Sequence, residues 1–124
     1  MDYQLSLTVL DCPDPARLAA FYHGLLGGEI AVEPDGSWAE VVPPRGGALA
    51  FQRVTHFVAP TWPEGPVPQQ LHVDLLVDDL DAGEADVVAR GAERAAVQPG
   101  TTFRVFLDPA GHPFCLVAAT GSDH

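Results

Sequence analysis

Two ionisable side chains stand close together in the second half of the chain, in the segment His72-Val73-Asp74-Leu75-Leu76-Val77. The segment is rich in branched residues, which predicts a β-strand, and residues i and i+2 of a strand point to the same side of a sheet. His72 and Asp74 could therefore serve as a general base and its neighbour in proton transfer. For Asp74 we favour the alternative that it pairs with Arg104 on a strand lying alongside, because a half-buried carboxylate needs a partner.

The two cysteines, Cys12 and Cys115, are the other chemically reactive side chains. Neither belongs to a Cys-x-x-Cys pair, so their spacing does not indicate a zinc or redox site. Two free thiols in a reducing cytoplasm are the simplest interpretation, and a disulfide between them is the alternative. A thiol in the middle of an apolar strand usually behaves as a small hydrophobic side chain rather than as a nucleophile.

The elements that must position these groups follow one order in the first half of the chain. A strand is predicted over residues 5–10. Asp14 is a natural helix N-cap and Pro15 suits the first helical position. The apolar residues that follow recur at helical spacing until a Gly-Gly pair ends the helix. Three short strands are predicted near 29–33, 37–42 and 48–53.

The second half repeats this order. A strand over 72–77 leads through a capping turn at 78–81 into a helix that carries Ala85, Val88 and Ala89 inward. Strands are predicted near 93–97, 102–107 and 113–118. An offset of 67 residues pairs Asp11 with Asp78 and Asp14 with Asp81. We therefore predict a βαβββ unit used twice, the alternative being an α+β domain without a repeat.

A proline-rich segment joins the two predicted modules. We place module one at about 3–54, the crossover at about 55–70 and module two at about 71–119, all within one domain, 1–124. The crossover is too rich in proline for a central strand and too aromatic for a flexible linker. We predict an ordered segment in which Trp62 either fills the seam between the modules or forms the wall of a ligand cavity.

The charge of the chain excludes several functions. Seventeen Asp and Glu residues stand against six basic ones, all Arg, for a net charge of −11. This surface would repel nucleic acid and anionic membranes. No apolar run approaches the roughly 20 residues that span a bilayer, and the N-terminus does not resemble a signal peptide. We expect a cytoplasmic protein.

Several motifs, in this order along nearly the whole chain, resemble a known family: Val9-Leu10-Asp11-Cys12-Pro13-Asp14-Pro15, Leu49-Ala50-Phe51-Gln52-Arg53-Val54, Pro60-Thr61-Trp62-Pro63, Gln69-Gln70-Leu71-His72-Val73-Asp74, Val77-Asp78-Asp79-Leu80-Asp81 and Asp108-Pro109-Ala110-Gly111-His112-Pro113-Phe114-Cys115-Leu116. They are similar to the glyoxalase-like branch of the vicinal oxygen chelate superfamily, which also contains bleomycin-resistance proteins and extradiol dioxygenases. The resemblance implies an α+β fold in which two βαβββ modules form a curled mixed-sheet cup, usually in a dimer.

The resemblance also implies where a metal would bind. Metal-using members take His and Glu ligands from the first and last strands of each module, and the matching positions here are Leu5, Gln52, His72 and Cys115. Only His72 retains the ligand type of the family. Zinc could accept His72 and Cys115, with Glu40 recruited nearby, but two credible donors are fewer than the three that catalytic zinc sites use. We therefore expect no metal or other cofactor.

The expected function is binding of a small organic molecule in the cup by a homodimer. The predicted contacts mix aromatic walls with a few polar groups, as ligand sites usually do: Trp38, Glu40, Gln52, Trp62, His72 and Cys115. Trp38 and Glu40 share a strand face, which lines the cup or faces solvent. One alternative is a lyase, isomerase or dioxygenase of the same superfamily, which uses either a metal recruited through His72 or metal-free acid–base chemistry with His72 as the catalytic residue. The other is a protein that sequesters an antibiotic, as bleomycin-resistance proteins do.

Overall fold

The two halves of the chain fold as successive βαβββ modules in the computed structural model, which describes residues 1–119. The first contains β1 (Thr8–Cys12), α1 (Pro15–Leu26), β2 (Glu29–Val32), β3 (Trp38–Val42) and β4 (Leu49–Arg53). The second contains β5 (Val73–Val77), α2 (Leu80–Ala89), β6 (Glu93–Arg94), β7 (Phe103–Leu107) and β8 (Pro113–Ala118). The predicted α+β class and element order are confirmed. Residues 120–124, which the predicted domain includes, lie outside the described residues.

Each module contains one four-stranded mixed sheet with the same topology. The strand orders are β1-β4-β3-β2 and β5-β8-β7-β6. The first strand of each module runs parallel to the last, and the other neighbouring strands are antiparallel. The chain divides into two compact units, and the second begins at Val58, so most of the predicted crossover belongs with the second module.

An aspartate N-cap immediately precedes each helix. Asp14 accepts a hydrogen bond from the backbone N–H of Arg17, and Pro15 follows in the first helical turn. In the second module Asp79 accepts hydrogen bonds from the N–H groups of Asp81 and Ala82. Each cap satisfies backbone donors that have no partner inside the helix, which stabilises the helix by about 1 kcal/mol.

The two caps reveal the true relation between the modules. Asp14 and Asp79 differ by 65 in residue number, and the register pairs Thr8↔Leu49 and Val73↔Phe114 are also shifted by 65 on both strands. The predicted offset of 67 is therefore wrong, although the repeat itself is present. The error came from matching Asp11 with Asp78, because Asp11 is not part of a turn but lies inside β1.

Three further predictions of detail are corrected. The first strand begins at Thr8, where pairing with β4 begins, and Leu5 is exposed. The strand predicted near 93–97 is only two residues long. The inward residue of α2 is Val87, whereas Ala85, Val88 and Ala89 are exposed. The helix approaches its sheet so closely that a Cβ at Gly83 would lie 3.0 Å from the side chain of Leu116, and this contact selects its buried face.

The strand alternation predicted for the cores is confirmed. In the first module Phe51 of β4 stacks on Tyr22 of α1, at 5.8 Å between ring centroids. In the second, Leu116 faces α2, and Phe114 stacks on Phe106. The residues that alternate with these in the same strands point to the opposite face of each sheet. The candidate site residues lie on these opposite faces.

Candidate functional site

The first module carries three of the predicted ligand contacts on the sheet face opposite α1. Trp38 lies directly across from Gln52 on β4, and Glu40 lies across from Ala50. The indole Nε1 of Trp38 donates a 2.8 Å hydrogen bond to Glu40 Oε2. Trp38 and Glu40 are half-buried and Gln52 is exposed. Trp38, Glu40 and Gln52 therefore form one polar and aromatic group on this sheet.

The second module contains a cavity of about 600 Å³. It brings together the other three predicted contacts with four residues that were not predicted. Its lining is Trp62, His72, Pro99, Gly100, Thr101, Phe103 and Cys115. We call this the β5–β8 cavity, because β5 and β8 are the strands that place His72 and Cys115 at its wall.

An apolar cluster behind the cavity positions its aromatic wall. Cys115 and Val117 of β8 lie across from Val105 and Phe103 of β7, and all four are buried. Trp62 packs against this cluster from the crossover. The prediction that Cys115 and Val117 point away from α2 is confirmed, because Leu116 between them contacts the helix side. Trp62 is thus an ordered wall residue of the β5–β8 cavity.

A loop that connects β6 to β7 closes one side of the cavity, and Gln98 holds it in place. The side-chain amide of Gln98 donates to the carbonyl oxygens of Ala95 and Val105, at 2.9 and 2.8 Å. Its oxygen accepts from the N–H of Val105 at 2.8 Å. These bonds satisfy both backbone groups of Val105, as a neighbouring strand would. The loop then passes so close to Phe103 that a Cβ at Gly100 would lie 2.1 Å from the ring.

Sequence reasoning missed the loop residues of the wall. Pro99 and Gly100 lie between the strands predicted near 93–97 and 102–107, and strand alternation carries no information about loops. Phe103 was detectable, because it alternates with Val105 on a strand that was correctly predicted. Phe103 reaches the cavity because β7 lies beside β8, and the sequence does not show which strands are neighbours.

The side chains of His72 and Asp74 are in contact at the start of β5. His72 Nε2 lies 3.0 Å from Asp74 Oδ1, and the side chains are 35% and 39% exposed. The predicted partner of Asp74 is wrong. Arg104 instead contacts Asp81 at 2.7 Å and Glu84 at 3.1 Å. Asp74 aligns with Cys115, whereas Arg104 aligns with Leu116, so the two charges lie on opposite faces of the sheet.

The Cys115 thiol is held in its neutral form. Burial raises the pKa of Cys115 to about 12, and the negative charge of Asp74 and a hydrogen bond to it act in the same direction. Cys12 and Cys115 are both free thiols, and the alternative of a disulfide between them is not seen. A thiol with a raised pKa is a poor nucleophile at neutral pH.

Three potential metal donors meet at this point. His72, Asp74 and Cys115 each offer one ligand atom, and these three atoms lie within 4.8 Å of one another. With the offset of 65, the first-module positions equivalent to His72 and Cys115 are Leu7 and Ala50, rather than Leu5 and Gln52. Neither Leu7 nor Ala50 has a donor side chain. The residues therefore do not match the family's His and Glu set, but they fit the donor number and type of a zinc site.

Comparisons with known proteins agree with this architecture. A glyoxalase/bleomycin resistance protein/dioxygenase family enzyme from Burkholderia phytofirmans PsJN has a TM-score of 0.66 at 15% identity, covering 90% of this chain and 94% of its own. A gene product of Arabidopsis thaliana has a TM-score of 0.66 at 15% identity, covering 94% and 98%. The oxidase ChaP-H2 has a TM-score of 0.65 at 22% identity, covering 99% and 98%. No curated protein sequence matches.

Similarity at these identities establishes the fold and leaves the reaction open. Among residues 1–119, no helix has the length and apolarity that a membrane span needs. The family assignment comes from the sequence, since the glyoxalase-like domain family matches residues 7–117, which is most of the chain. Together with the paired βαβββ modules, this match shows that the protein belongs to the glyoxalase-like domain family of the vicinal oxygen chelate superfamily.

Proposed function

We propose that this protein binds a small organic molecule in the β5–β8 cavity, without the His and Glu metal centre of its superfamily. The observation that carries the proposal is the cavity itself. Its volume of about 600 Å³ lies within the range of small-molecule sites. Trp62 and Phe103 supply apolar walls, and His72 supplies a convergent polar group, which is the usual composition of such sites.

The charges around the wall favour a ligand that is neutral or cationic. The Asp74 carboxylate lies beside the cavity residue His72, and the chain carries a net charge of −11. Both features attract cations and repel anions. The buried Nε1 of Trp62 has no hydrogen-bond partner among the described residues. Burial of such a donor without a partner costs about 1–3 kcal/mol, so a small rotation of the indole toward a ligand acceptor would be favourable.

The two tryptophans allow a direct test of where a ligand binds. In Trp38→Phe the remaining indole is Trp62 in the β5–β8 cavity, and in Trp62→Phe it is Trp38 on the first-module sheet. We would titrate both variants with a panel of small aromatic amines, phenols and carboxylates and follow tryptophan fluorescence. The proposal expects a saturable change in Trp38→Phe, with amines binding more tightly than carboxylates of the same size. A response confined to Trp62→Phe would overturn it.

Trp38, Glu40 and Gln52 remain predicted ligand contacts in the first module. The Trp62→Phe titration measures their contribution independently, because Trp38 is then the reporter.

A cationic antibiotic is one ligand of the favoured class. If sequestration is the biological role, expression of the protein should protect growing cells against such a drug. On the basis of the family resemblance we also propose that the protein is a cytoplasmic homodimer. Light scattering on the purified protein, which measures its molar mass in solution, tests the dimer.

One observation favours an enzyme as the second candidate. A histidine in a cavity, 3.0 Å from a carboxylate that can orient its ring, is the arrangement of a general base. In this case His72 is the catalytic residue of a lyase, isomerase or dioxygenase. His72→Ala distinguishes the candidates once a ligand has been found. An enzyme would lose turnover by about 10²-fold or more, whereas a binding protein would show only moderately reduced affinity.

A further inference from the structure

We propose that His72, Asp74 and Cys115 bind one thiophilic divalent cation of the zinc class, using donors from the second module alone. The three donors come from two adjacent strands. Asp74 of β5 lies in register with Cys115 of β8, and His72, which immediately precedes β5, contacts the Asp74 carboxylate at 3.0 Å. The arrangement is a consequence of strand pairing rather than of a chance surface cluster.

The donor atoms are close enough together for side-chain rotation to bring them around one metal ion. Ligand atoms at about 2.0–2.3 Å from a tetrahedral zinc are separated by roughly 3.3–3.7 Å. The donor atoms here lie within 4.8 Å of one another. His72 and Asp74 are more than one-third exposed, so both can rotate toward a bound ion, while buried Cys115 supplies a fixed point. Three protein donors leave one position for water or a ligand, as in catalytic zinc sites.

The donor types select the class of ion. A thiolate and an imidazole favour zinc and similar borderline ions, whereas magnesium and calcium require mainly oxygen ligands. Binding breaks the S–H bond of Cys115, releases that proton to solvent and forms a metal–thiolate bond, with no change in oxidation state. The Asp74 carboxylate and the thiolate then neutralise the charge of the ion.

Asp74 is the donor that the family's His and Glu set does not include. The family resemblance implies metal ligands at the positions of His72 and Cys115. Because these are only two donors, no metal was expected from the sequence. That expectation did not count Asp74, which contacts His72 in the structure, whereas Arg104 contacts Asp81. The inference rests on the proposed function in one respect, because His72 and Cys115 line the β5–β8 cavity and would place the ion at its wall.

The test is titration of chelator-treated full-length protein with Co²⁺, followed by displacement with Zn²⁺. Bound Co²⁺ should produce a thiolate charge-transfer absorption at one ion per chain. Cys115→Ser should abolish this absorption, and Cys12→Ser is the matched thiol control that should retain it. Asp74→Asn should weaken Zn²⁺ binding at least about tenfold, and Asp78→Asn is the matched control with an exposed carboxylate that should not.

Two outcomes would overturn the proposal. One is folded wild-type protein that shows neither the charge-transfer absorption nor retention of Zn²⁺ on a desalting column. The other is an Asp74→Asn variant that binds Zn²⁺ as tightly as the wild type. Asp74→Asn changes a partly exposed side chain, so circular dichroism should confirm its fold even if Cys115→Ser fails to fold. The tryptophan titrations are performed in chelator, so organic ligand binding succeeds or fails separately from metal binding.

Discussion

Asp74 and Arg104, opposite charges in one four-stranded sheet, lie on opposite faces of it. Asp74 is in register with Cys115, whereas Arg104 is in register with Leu116, the next residue of β8. The shift of one residue directs Arg104 toward Asp81 and Glu84 on the α2 side and leaves Asp74 beside His72 and Cys115. The chemistry of the β5–β8 cavity depends on this separation.

The first prediction is that Asp74 and Arg104 are energetically independent. In a double-mutant cycle of Asp74→Ala and Arg104→Ala, the coupling free energy of unfolding should be below about 0.5 kcal/mol. The matched cycle of Arg104→Ala and Glu84→Ala should give about 0.5–1 kcal/mol, because that pair is in contact and only partly exposed. Urea unfolding measures both cycles. A larger coupling for Asp74 than for Glu84 would contradict the assigned faces.

The second prediction concerns the reactivity of Cys115 in metal-free protein. Because the pKa of this thiol is raised to about 12, alkylation by iodoacetamide at pH 8 should be slow and should accelerate only well above pH 9. Asp74→Asn removes a negative charge that raises the thiol pKa, so the pH profile should move to lower pH. Mass spectrometry of labelled peptides separates Cys115 from Cys12. A profile that Asp74→Asn leaves unchanged would show that the carboxylate has no influence.

The same pKa shift has a consequence for stability. The folded thiol keeps its proton up to about pH 12, whereas an unfolded cysteine loses it near pH 8.5. Between these values the native state binds more protons, so this group makes the free energy of unfolding fall as pH rises. We expect Cys115→Ala to be destabilised less by an increase from pH 8 to pH 10 than the wild type. Chemical denaturation measures the free energy of unfolding at both pH values. If wild type and Cys115→Ala lost the same amount of it, the raised pKa of Cys115 would be contradicted.

The third prediction tests the close approach of the β6–β7 loop to the aromatic wall. Gly100→Ala would place a Cβ 2.1 Å from the Phe103 ring, so the ring or the loop must move. Overpacking of this kind costs about 1–3 kcal/mol in unfolding free energy. The control is Gly47→Ala, where a Cβ meets nothing within 4 Å and stability should change by less than about 0.5 kcal/mol. Thermal and urea unfolding would show the difference.

The fourth prediction assigns the position of that loop to Gln98. Gln98→Ala removes three hydrogen bonds and leaves the buried Val105 N–H without its Gln98 partner, whereas the Val105 carbonyl keeps the N–H of Ala95. The expected cost is about 1–3 kcal/mol, together with faster amide exchange over residues 96–102. Gln70→Ala, at an exposed glutamine, is the matched control and should change neither the free energy of unfolding nor the amide exchange of the loop. Unchanged exchange in Gln98→Ala would mean that other contacts hold the loop.

Local patterns were sufficient for the elements and for the faces of single strands. Asp14 followed by Pro15 predicted the start of α1, because capping depends on neighbouring residues only. Alternation along β8 correctly separated Phe114 and Leu116 from Cys115 and Val117, because strand geometry repeats every two residues. The family resemblance and the two-module repeat are likewise properties of the sequence, because both depend on the order of motifs along the chain.

Register, sheet order and loop paths were decided by the tertiary structure alone. The offset of 65, the placement of Cys115 beside Asp74 and the loop that Gln98 anchors all depend on which strands lie side by side. A shift of one residue between strands moves a side chain to the other face of a sheet. Nothing in the residues around Asp74 records that shift. The sequence thus determined the residue types available for chemistry, and only folding brought His72, Asp74 and Cys115 together.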